Sequence, residues 1–341
     1  MLFKLLALGA LIFLIFAVRR RRCGDEIHYA QTSDGFKLVL FRYLPRKNRQ
    51  SYPVVLCHGL SCNHWIFDLT EKQSLARFLA NQGFDCFLVN LRGRDRSRSV
   101  PRYRLRIFWS FDDYLNKDLP AIISKVKETT GKEKLHWIGH SMGGMLAYAY
   151  LGTKEQESFK SVVSLASPAK FSYPYFILPL RILAVIFLII MPIVPVWFFL
   201  IPFGIIASIL PLSWLGYDRK LYYLGLILCL TNVSSKVFWQ FYDWIVNKTF
   251  RSKDKKINYW EKLNQVNVPL LLLVGGSDSL ATPRMCKWTA QQWGGEVRLE
   301  IISRSTGAQA NYDHFSILTG KYIHKDIYDR IAGWLLEKDR N

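Results

Sequence analysis

The stretch KLHWIGHSMGGMLAYAYLG, Lys134–Gly152, decides the fold of this 341-residue chain. At its centre, Gly139–Gly143 fits the pattern G-x-S-x-G, with an apolar strand-like run before it and a helix-like segment of small residues after it. The turn must be tight, and a larger side chain in place of either glycine would collide with neighbouring backbone. The pattern therefore predicts a strand, a sharp turn and a helix, with Ser141 projecting from the turn as a candidate nucleophile.

On both sides of this motif, strand-like and helix-like segments alternate. Strands are predicted near 26–31, 36–45, 52–60, 84–93, 159–168, 268–278 and 297–303, with a hairpin turn at Asp34-Gly35, and helices near 70–83, 111–131, 283–293 and 325–338. Unbroken runs of Val, Ile and Leu are typical of parallel strands that are covered on both faces. The alternation predicts an α/β fold with a mostly parallel central sheet and helices on both faces.

A nucleophilic serine needs a histidine base and a carboxylate that orients this base. Asp278 directly follows a predicted strand, and His314 lies in a loop before the closing helix, so the order is serine, acid, histidine. His324 is the competing histidine, but it falls at the start of that helix. Asp313 is the competing acid, but it adjoins the histidine in sequence and its side chain is poorly placed to hold the ring. Ser141, Asp278 and His314 are therefore the predicted catalytic residues.

Two backbone amides are candidates for stabilising negative charge on a substrate oxygen. In this arrangement one N–H comes from the loop after an early strand, here Cys57–Leu60, and the other from the residue after the nucleophile. These positions nominate Leu60 and Met142, and the role does not involve their side chains. Cys57 is interpreted as a packed thiol rather than as a nucleophile.

Several longer segments together resemble the acid lipases, the gastric and lysosomal type of α/β-hydrolase. They are HGLSCNHW, LANQGFDCFLVNLRGRDRSR, WSFDDYLNKDLPAIISKV, TGKEKLHWIGHSMGG and GGSDSLATP, and the resemblance extends over about 54–152 and 268–314. It implies the α/β-hydrolase fold and the same site residues, namely Ser141, Asp278, His314 and the amides of Leu60 and Met142. Two features depart from that family. Position 142 is Met where the family usually has Gln, and the segment between the core halves is far more apolar than the lid of the soluble lipases.

The first 22 residues predict a membrane anchor. Leu2–Val18 is apolar except for Lys4, and four arginines, Arg19–Arg22, follow it directly. No small-residue cleavage site separates the two parts, so the pattern favours an uncleaved helix over a signal peptide. Because positive charge is retained on the cytoplasmic side of a membrane, the rest of the chain is expected to face the cytoplasm.

A second apolar stretch, Phe176–Leu212, separates the predicted serine from the predicted acid and base. A working triad must lie on one side of the membrane, so this stretch crosses an even number of times. Two crossings within Ile182–Tyr217 would leave about 17 residues each, the short limit for a helix, and the four prolines at 192, 195, 202 and 211 would interrupt them. We therefore expect a cap of short helices that dips into one leaflet. Packing of the cap on the core or on a second subunit is the alternative.

These expectations divide the chain into four parts. They are a membrane anchor at 1–22, the first half of a hydrolase core at 23–170, an apolar helical cap at 171–262 and the second half of the core at 263–341. The sequence does not indicate the oligomeric state.

The charge of the chain is strongly positive, with 46 Lys and Arg against 26 Asp and Glu. Such an excess predicts an anionic partner, and an anionic membrane surface is favoured over nucleic acid because no nucleic-acid-binding module is recognisable. Seven arginines lie in Leu91–Arg106, a loop expected on the rim of the site. They are expected to meet phosphate headgroups or an anionic substrate. A solvated loop with partial salt bridges is the alternative.

The six cysteines are expected to be buried free thiols. They show no CxxC pair and no metal-ligand spacing, and several lie in apolar runs. This usage favours a reducing compartment. Neither a metal nor a cofactor is predicted.

The predicted triad, the two backbone amides and the N-terminal anchor together predict a membrane-anchored serine hydrolase. It would cleave carboxylic esters of lipid-like substrates through an acyl-enzyme. The same triad would serve an acyltransferase if an alcohol, and not water, accepted the acyl group. A non-catalytic membrane scaffold is the third hypothesis, and the complete triad disfavours it.

Overall fold

The computed structural model describes residues 23–99, 108–172 and 217–340. The predicted anchor at 1–22, the apolar stretch Phe176–Leu212 and the end of the arginine-rich loop lie outside these ranges. Within them, none of the helices combines the length and the apolar character that crossing a bilayer requires.

The described chain alternates strands with helices along its length. The strands are β1 Glu26–Gln31, β2 Phe36–Tyr43, β3 Val54–Cys57, β4 Cys86–Val89, β5 Arg98–Ser99, β6 Leu135–His140, β7 Phe159–Leu165, β8 Leu270–Gly275 and β9 Val297–Ile302. The α-helices are α1 Leu75–Asn81, α2 Phe111–Asp113, α3 Leu119–Thr130, α4 Met142–Thr153, α5 Arg219–Cys229, α6 Ser235–Asn247, α7 Pro283–Gln292, α8 Ser316–Thr319 and α9 Asp329–Arg340. Short 3₁₀ turns occur at His64–Phe67, Trp260–Gln265 and Arg304–Thr306, and π-helical turns at Tyr114–Asp118 and His324–Tyr328 lead into α3 and α9.

The strands form one sheet in the order β1-β2-β4-β3-β6-β7-β8-β9, and β5 pairs with β2. Strands from β4 to β9 along this order are parallel, whereas β2 is antiparallel to β1, β4 and β5. The central strands β3, β4, β6 and β8 are buried at every position. Because successive side chains point to opposite faces, both faces of the sheet are covered. The prediction of a mostly parallel sheet is confirmed.

The first hairpin follows its sequence pattern closely. Gln31 at the end of β1 lies opposite Lys37 near the start of β2. Gly35 has a φ of 90°, a conformation that glycine adopts readily and that closes the turn at the predicted place.

The helix before β4 is shorter than the predicted segment 70–83. It begins only at Leu75, because the side chain of Ser74 accepts a hydrogen bond from the Arg77 N–H and caps it. The preceding residues form a turn in which the Leu69 and Thr70 N–H groups donate to the Gln73 carbonyl. Residues 70–73 therefore lie outside the helix.

Candidate active site

The turn between β6 and α4 consists of Ser141 alone. Its φ of 51° and ψ of −117° lie outside the regions that most residues adopt, and its N–H donates to the Leu165 carbonyl over 2.8 Å. A Cβ on Gly139 would lie 2.3 Å from the Gly144 nitrogen, and one on Gly143 would lie 2.2 Å from the Cys57 oxygen. Neighbouring backbone therefore leaves no room for a side chain at position 139 or 143, as the sequence pattern predicts.

Three predicted side chains form one hydrogen-bonded chain. The distance from His314 Nε2 to Ser141 Oγ is 2.9 Å, and that from His314 Nδ1 to Asp278 Oδ2 is also 2.9 Å. The carboxylate can only accept, so Nδ1 carries the ring proton and Nε2 is free to accept the serine hydroxyl proton. Asp278 is buried, whereas Ser141 and His314 are partly exposed. The arrangement can therefore move a proton from the serine to the histidine next to an accessible surface.

The remaining oxygen of Asp278 is fixed by the backbone. Its Oδ1 accepts hydrogen bonds from the N–H groups of Leu280 and Ala281, at 2.8 and 2.7 Å. Both carboxylate oxygens therefore accept hydrogen bonds, and the two bonds from the backbone fix the orientation of the carboxylate toward His314.

The two competing residues have other partners. Asp313 Oδ1 accepts from the Tyr217 hydroxyl and from the N–H groups of Phe315 and Ser316, at 2.8 to 3.0 Å. This carboxylate shapes the loop and does not hold the His314 ring. His324 contacts the Lys72 carbonyl instead of the serine.

The two nominated amides flank Ser141. Met142 is the first residue of α4, where helix N–H groups have no partner within the helix and the helix dipole favours negative charge. Leu60 follows Gly59, on which a Cβ would lie 3.0 Å from Ser141 Cβ, so this loop touches the serine. Among the described residues, neither the Leu60 nor the Met142 N–H donates to an acceptor. Their positions beside Ser141 keep both N–H groups as candidates for stabilising a substrate oxygen.

Comparisons with known proteins agree with this architecture. A family model described as alpha/beta hydrolase fold matches residues 52–185. The chain is 35% identical to gastric triacylglycerol lipase of Bos taurus over 162 residues, which cover 44% of this chain and 41% of the lipase. It is 27% identical to a probable lipase of Schizosaccharomyces pombe over 345 residues, which cover 89% of this chain and 75% of that protein. An esterase structure from Thermogutta terrifontis superposes with a TM-score of 0.62 at 15% identity, covering 92% of this chain and 100% of the esterase.

The chain has the α/β-hydrolase fold and resembles the acid lipases. The resemblance predicted from the sequence is thereby confirmed. The alignments with several curated lipases span only 34% to 41% of their length. The family model covers Leu60, Ser141 and Met142, whereas Asp278 and His314 lie beyond its matched range.

His140 is a neighbour of the site to which the sequence analysis assigned no role. Its ring centroid lies 5.0 Å from that of His314, and its Nε2 donates to the His314 carbonyl over 2.8 Å. Burial, together with the nearby His314, lowers the pKa of His140 to about 3. His140 is therefore neutral near pH 7, and it orients the His314 backbone without placing a positive charge beside the ring. Its position next to Ser141 is the sole feature in the sequence that could have identified it.

A second buried histidine supports the loop that carries Leu60. His58 Nε2 accepts from the Leu91 N–H over 3.2 Å, so its Nδ1 carries the proton and donates to the Gly59 carbonyl over 2.9 Å. Burial, reinforced by the positive charge of Arg94, lowers the pKa of His58 to about 3. The ring stays neutral, and its two hydrogen bonds connect the loop at Gly59 to the backbone of Leu91.

All six cysteines are buried, and none is bonded to another. The prediction of buried free thiols is confirmed. Burial raises the pKa of the Cys57 thiol, which disfavours the thiolate that a nucleophile would require.

The first arginines of the arginine-rich loop differ from the expectation. Arg92 is buried and pairs with Asp118 and Asp34, with its Nε 2.7 Å from Asp118 Oδ1. Arg94 is buried too, and its Nη1 donates to the Asn232 carbonyl. For these two residues the prediction of contact with phosphate headgroups is wrong, because each guanidinium is directed into the protein.

Proposed function

We propose that this protein is a serine hydrolase that cleaves carboxylic esters of lipid-like substrates. The observation that carries the proposal is the pair of 2.9 Å hydrogen bonds made by His314, one to Ser141 and one to Asp278. The relatives whose printed names include lipase, and the esterase of similar fold, support an ester as the substrate. The lipid-like character is inferred from those lipase names and from the apolar sequence between the core halves.

The reaction would begin with attack of Ser141 Oγ on the ester carbonyl while His314 Nε2 takes the hydroxyl proton. Asp278 stays ionised and stabilises the imidazolium that forms. The N–H groups of Leu60 and Met142 would hold the negative carbonyl oxygen of the tetrahedral intermediate. His314 then returns the proton to the leaving alcohol, which leaves an acyl-enzyme on Ser141. Water, deprotonated by the same ring, would release the acid and restore the serine.

We further propose that the protein works at a membrane. The support is in the sequence: the anchor pattern at 1–22, the arginines that follow it, and the apolar segment within the proposed cap at 171–262. The core parts, 23–170 and 263–341, would then face the cytoplasm. An anionic lipid surface is the proposed partner, because the net charge of the chain is +20. A hydrolase held in this way would draw its acyl chains directly from the bilayer.

The test of the nucleophile uses a fluorophosphonate probe, which forms a covalent bond with an activated serine. We expect labelling of the wild-type protein and hydrolysis of a p-nitrophenyl ester, and we expect Ser141→Ala to lose both. Removing a triad residue costs a factor of about 10⁴ to 10⁶ in turnover. Ser158→Ala is the matched control, because Ser158 is a buried serine before β7, at the opposite end of the sheet. Equal labelling of wild type and Ser141→Ala would refute the proposal.

A further inference from the structure

A short segment of the chain crosses over the loop that carries Leu60. We call residues 228–234, from the last turn of α5 to the residue before α6, the strap. It lies far along the sequence from the loop, yet it bonds three consecutive loop residues. Ser61 Oγ donates to the Thr231 carbonyl over 2.6 Å, and the Thr231 N–H donates to the Ser61 carbonyl over 2.8 Å. Asn63 Nδ2 donates to the Leu228 carbonyl over 2.8 Å, and Thr231 Oγ1 donates to the Cys62 carbonyl over 3.3 Å.

The strap is itself fixed to the core at two residues that follow Thr231. The Arg94 guanidinium donates a hydrogen bond to the Asn232 carbonyl. The Ser234 hydroxyl accepts from the Trp109 N–H over 3.1 Å and donates to the Trp109 carbonyl over 2.5 Å. These anchors are buried, so the strap is a rigid support for the loop.

The loop needs such support because Ser61 has an unfavourable backbone conformation. Its φ is 59°, in the left-handed region that residues other than Gly, Asn and Asp rarely adopt. The surrounding structure must over-determine a conformation of this kind if it is to persist. The reciprocal bonds between Ser61 and Thr231 supply that constraint at the residue next to Leu60.

We infer that the strap positions the Leu60 N–H for catalysis, with Ser61, Asn63 and Thr231 as positioning residues. The inference rests on the proposed function. An oxyanion donor accelerates a reaction only if it is fixed before the negative charge develops. Without the strap, Ser61 would relax from its left-handed conformation and turn the Leu60 N–H away from the site. No atom of the strap needs to touch the substrate for this effect.

The experiment compares Ser61→Ala, Ser61→Gly and Asn63→Asp with wild type. Ala removes the hydrogen bond from Ser61 Oγ to the Thr231 carbonyl and retains the strain, whereas Gly removes the same bond and relieves the strain. Asp at position 63 retains the oxygen that accepts from the Trp65 N–H but loses the donor to Leu228. The measurements are kcat and KM on p-nitrophenyl butyrate, the rate constant of fluorophosphonate labelling, and Tm. Ser158→Ala is the control, since it removes a partly buried 2.8 Å hydrogen bond from a buried serine to Glu155, away from the site.

We expect kcat and the labelling rate to fall together by about tenfold in all three variants, less than the loss of a whole oxyanion donor. KM should stay within about twofold of wild type, because the strap is not proposed to bind substrate. Ser61→Gly should have a higher Tm than Ser61→Ala, because glycine relieves the backbone strain, but its kcat should be as low as that of Ser61→Ala. Ser158→Ala should keep wild-type kcat even where its Tm falls. Folded variants with wild-type kcat and labelling rates would overturn the inference. A wild-type protein that is neither labelled at Ser141 nor active would overturn the proposed function.

Discussion

Two aspartates lie beside His314, and their hydrogen bonds distinguish their roles. Asp278 accepts from the ring over 2.9 Å and from two backbone amides. Asp313 is adjacent to the histidine in sequence, and its carboxylate accepts from a tyrosine hydroxyl and from the backbone. Adjacent side chains leave the backbone in different directions, so the nearest acid in sequence is not the acid at the ring.

Asp278→Asn should lower kcat by a factor of about 10⁴ with little change in Tm, because an amide favours the wrong tautomer of His314 and cannot stabilise its protonated form. Asp313→Asn is the matched control. It keeps one acceptor oxygen for the loop, so we expect its kcat to stay within about tenfold of wild type. Steady-state kinetics on a soluble ester and thermal melts of both variants provide the check. An active Asp278→Asn beside an inactive Asp313→Asn would mean that the acid is misassigned.

The helix α4 depends on close contact with the strands beside it. Residues 142–151 of this helix are all buried, and its glycines allow the backbone to approach that of neighbouring residues. A Cβ on Gly143 would lie 2.2 Å from the Cys57 oxygen, where backbone cannot yield easily. By contrast, Gly333 of α9 has no neighbouring atom within 4 Å of such a Cβ.

Gly143→Ala should therefore destabilise the fold by about 1–3 kcal/mol or more, as overpacking does. Gly333→Ala adds the same methyl group to an exposed helix position and should stabilise by up to about 1 kcal/mol. Urea unfolding of both variants gives the two free energies. If Gly143→Ala proves as stable as wild type, the backbone at the turn is looser than the contact implies.

The elements of the core could be predicted from sequence because their patterns are local. Unbroken apolar runs predicted β3, β4, β6, β7 and β8, and the order of Ser141, Asp278 and His314 along the chain matches their hydrogen-bonded arrangement. The strap could not be predicted, since its bonds join residues about 170 positions apart, and each bond has a backbone group on at least one side. A serine and a threonine at such a separation form no recognisable pattern. The burial of Arg92 was missed for a similar reason: its partners Asp34 and Asp118 lie on other elements.

At the scale of the whole molecule, a further prediction concerns how the protein attaches to lipid. Deletion of residues 1–22 removes the proposed anchor, and we expect the truncated protein still to bind vesicles that contain anionic lipid. Apolar burial contributes about 25 cal/mol per Å² and is insensitive to salt, whereas basic residues contribute about 1 kcal/mol each and are screened by it.

Vesicle co-sedimentation of the truncated protein separates these two contributions. High salt should release little of it, and detergent should release nearly all. Serine substitutions at several apolar positions within 182–201 should make it extractable by salt alone. If those substitutions leave binding unchanged, the apolar segment packs on protein, and the proposed insertion of the cap is wrong.

The strap also has a consequence for how the protein is made. The ribosome completes the loop around Ser61 about 170 residues before Thr231, which is roughly 10 to 30 s at usual rates of synthesis. From the addition of Ser141 until the strap is made, the nascent chain has its serine but lacks the support for the oxyanion loop, and Asp278 and His314 are added later still. A prematurely terminated chain that ends before the strap lacks Asp278 and His314 as well, so we expect such a fragment to hydrolyse no ester.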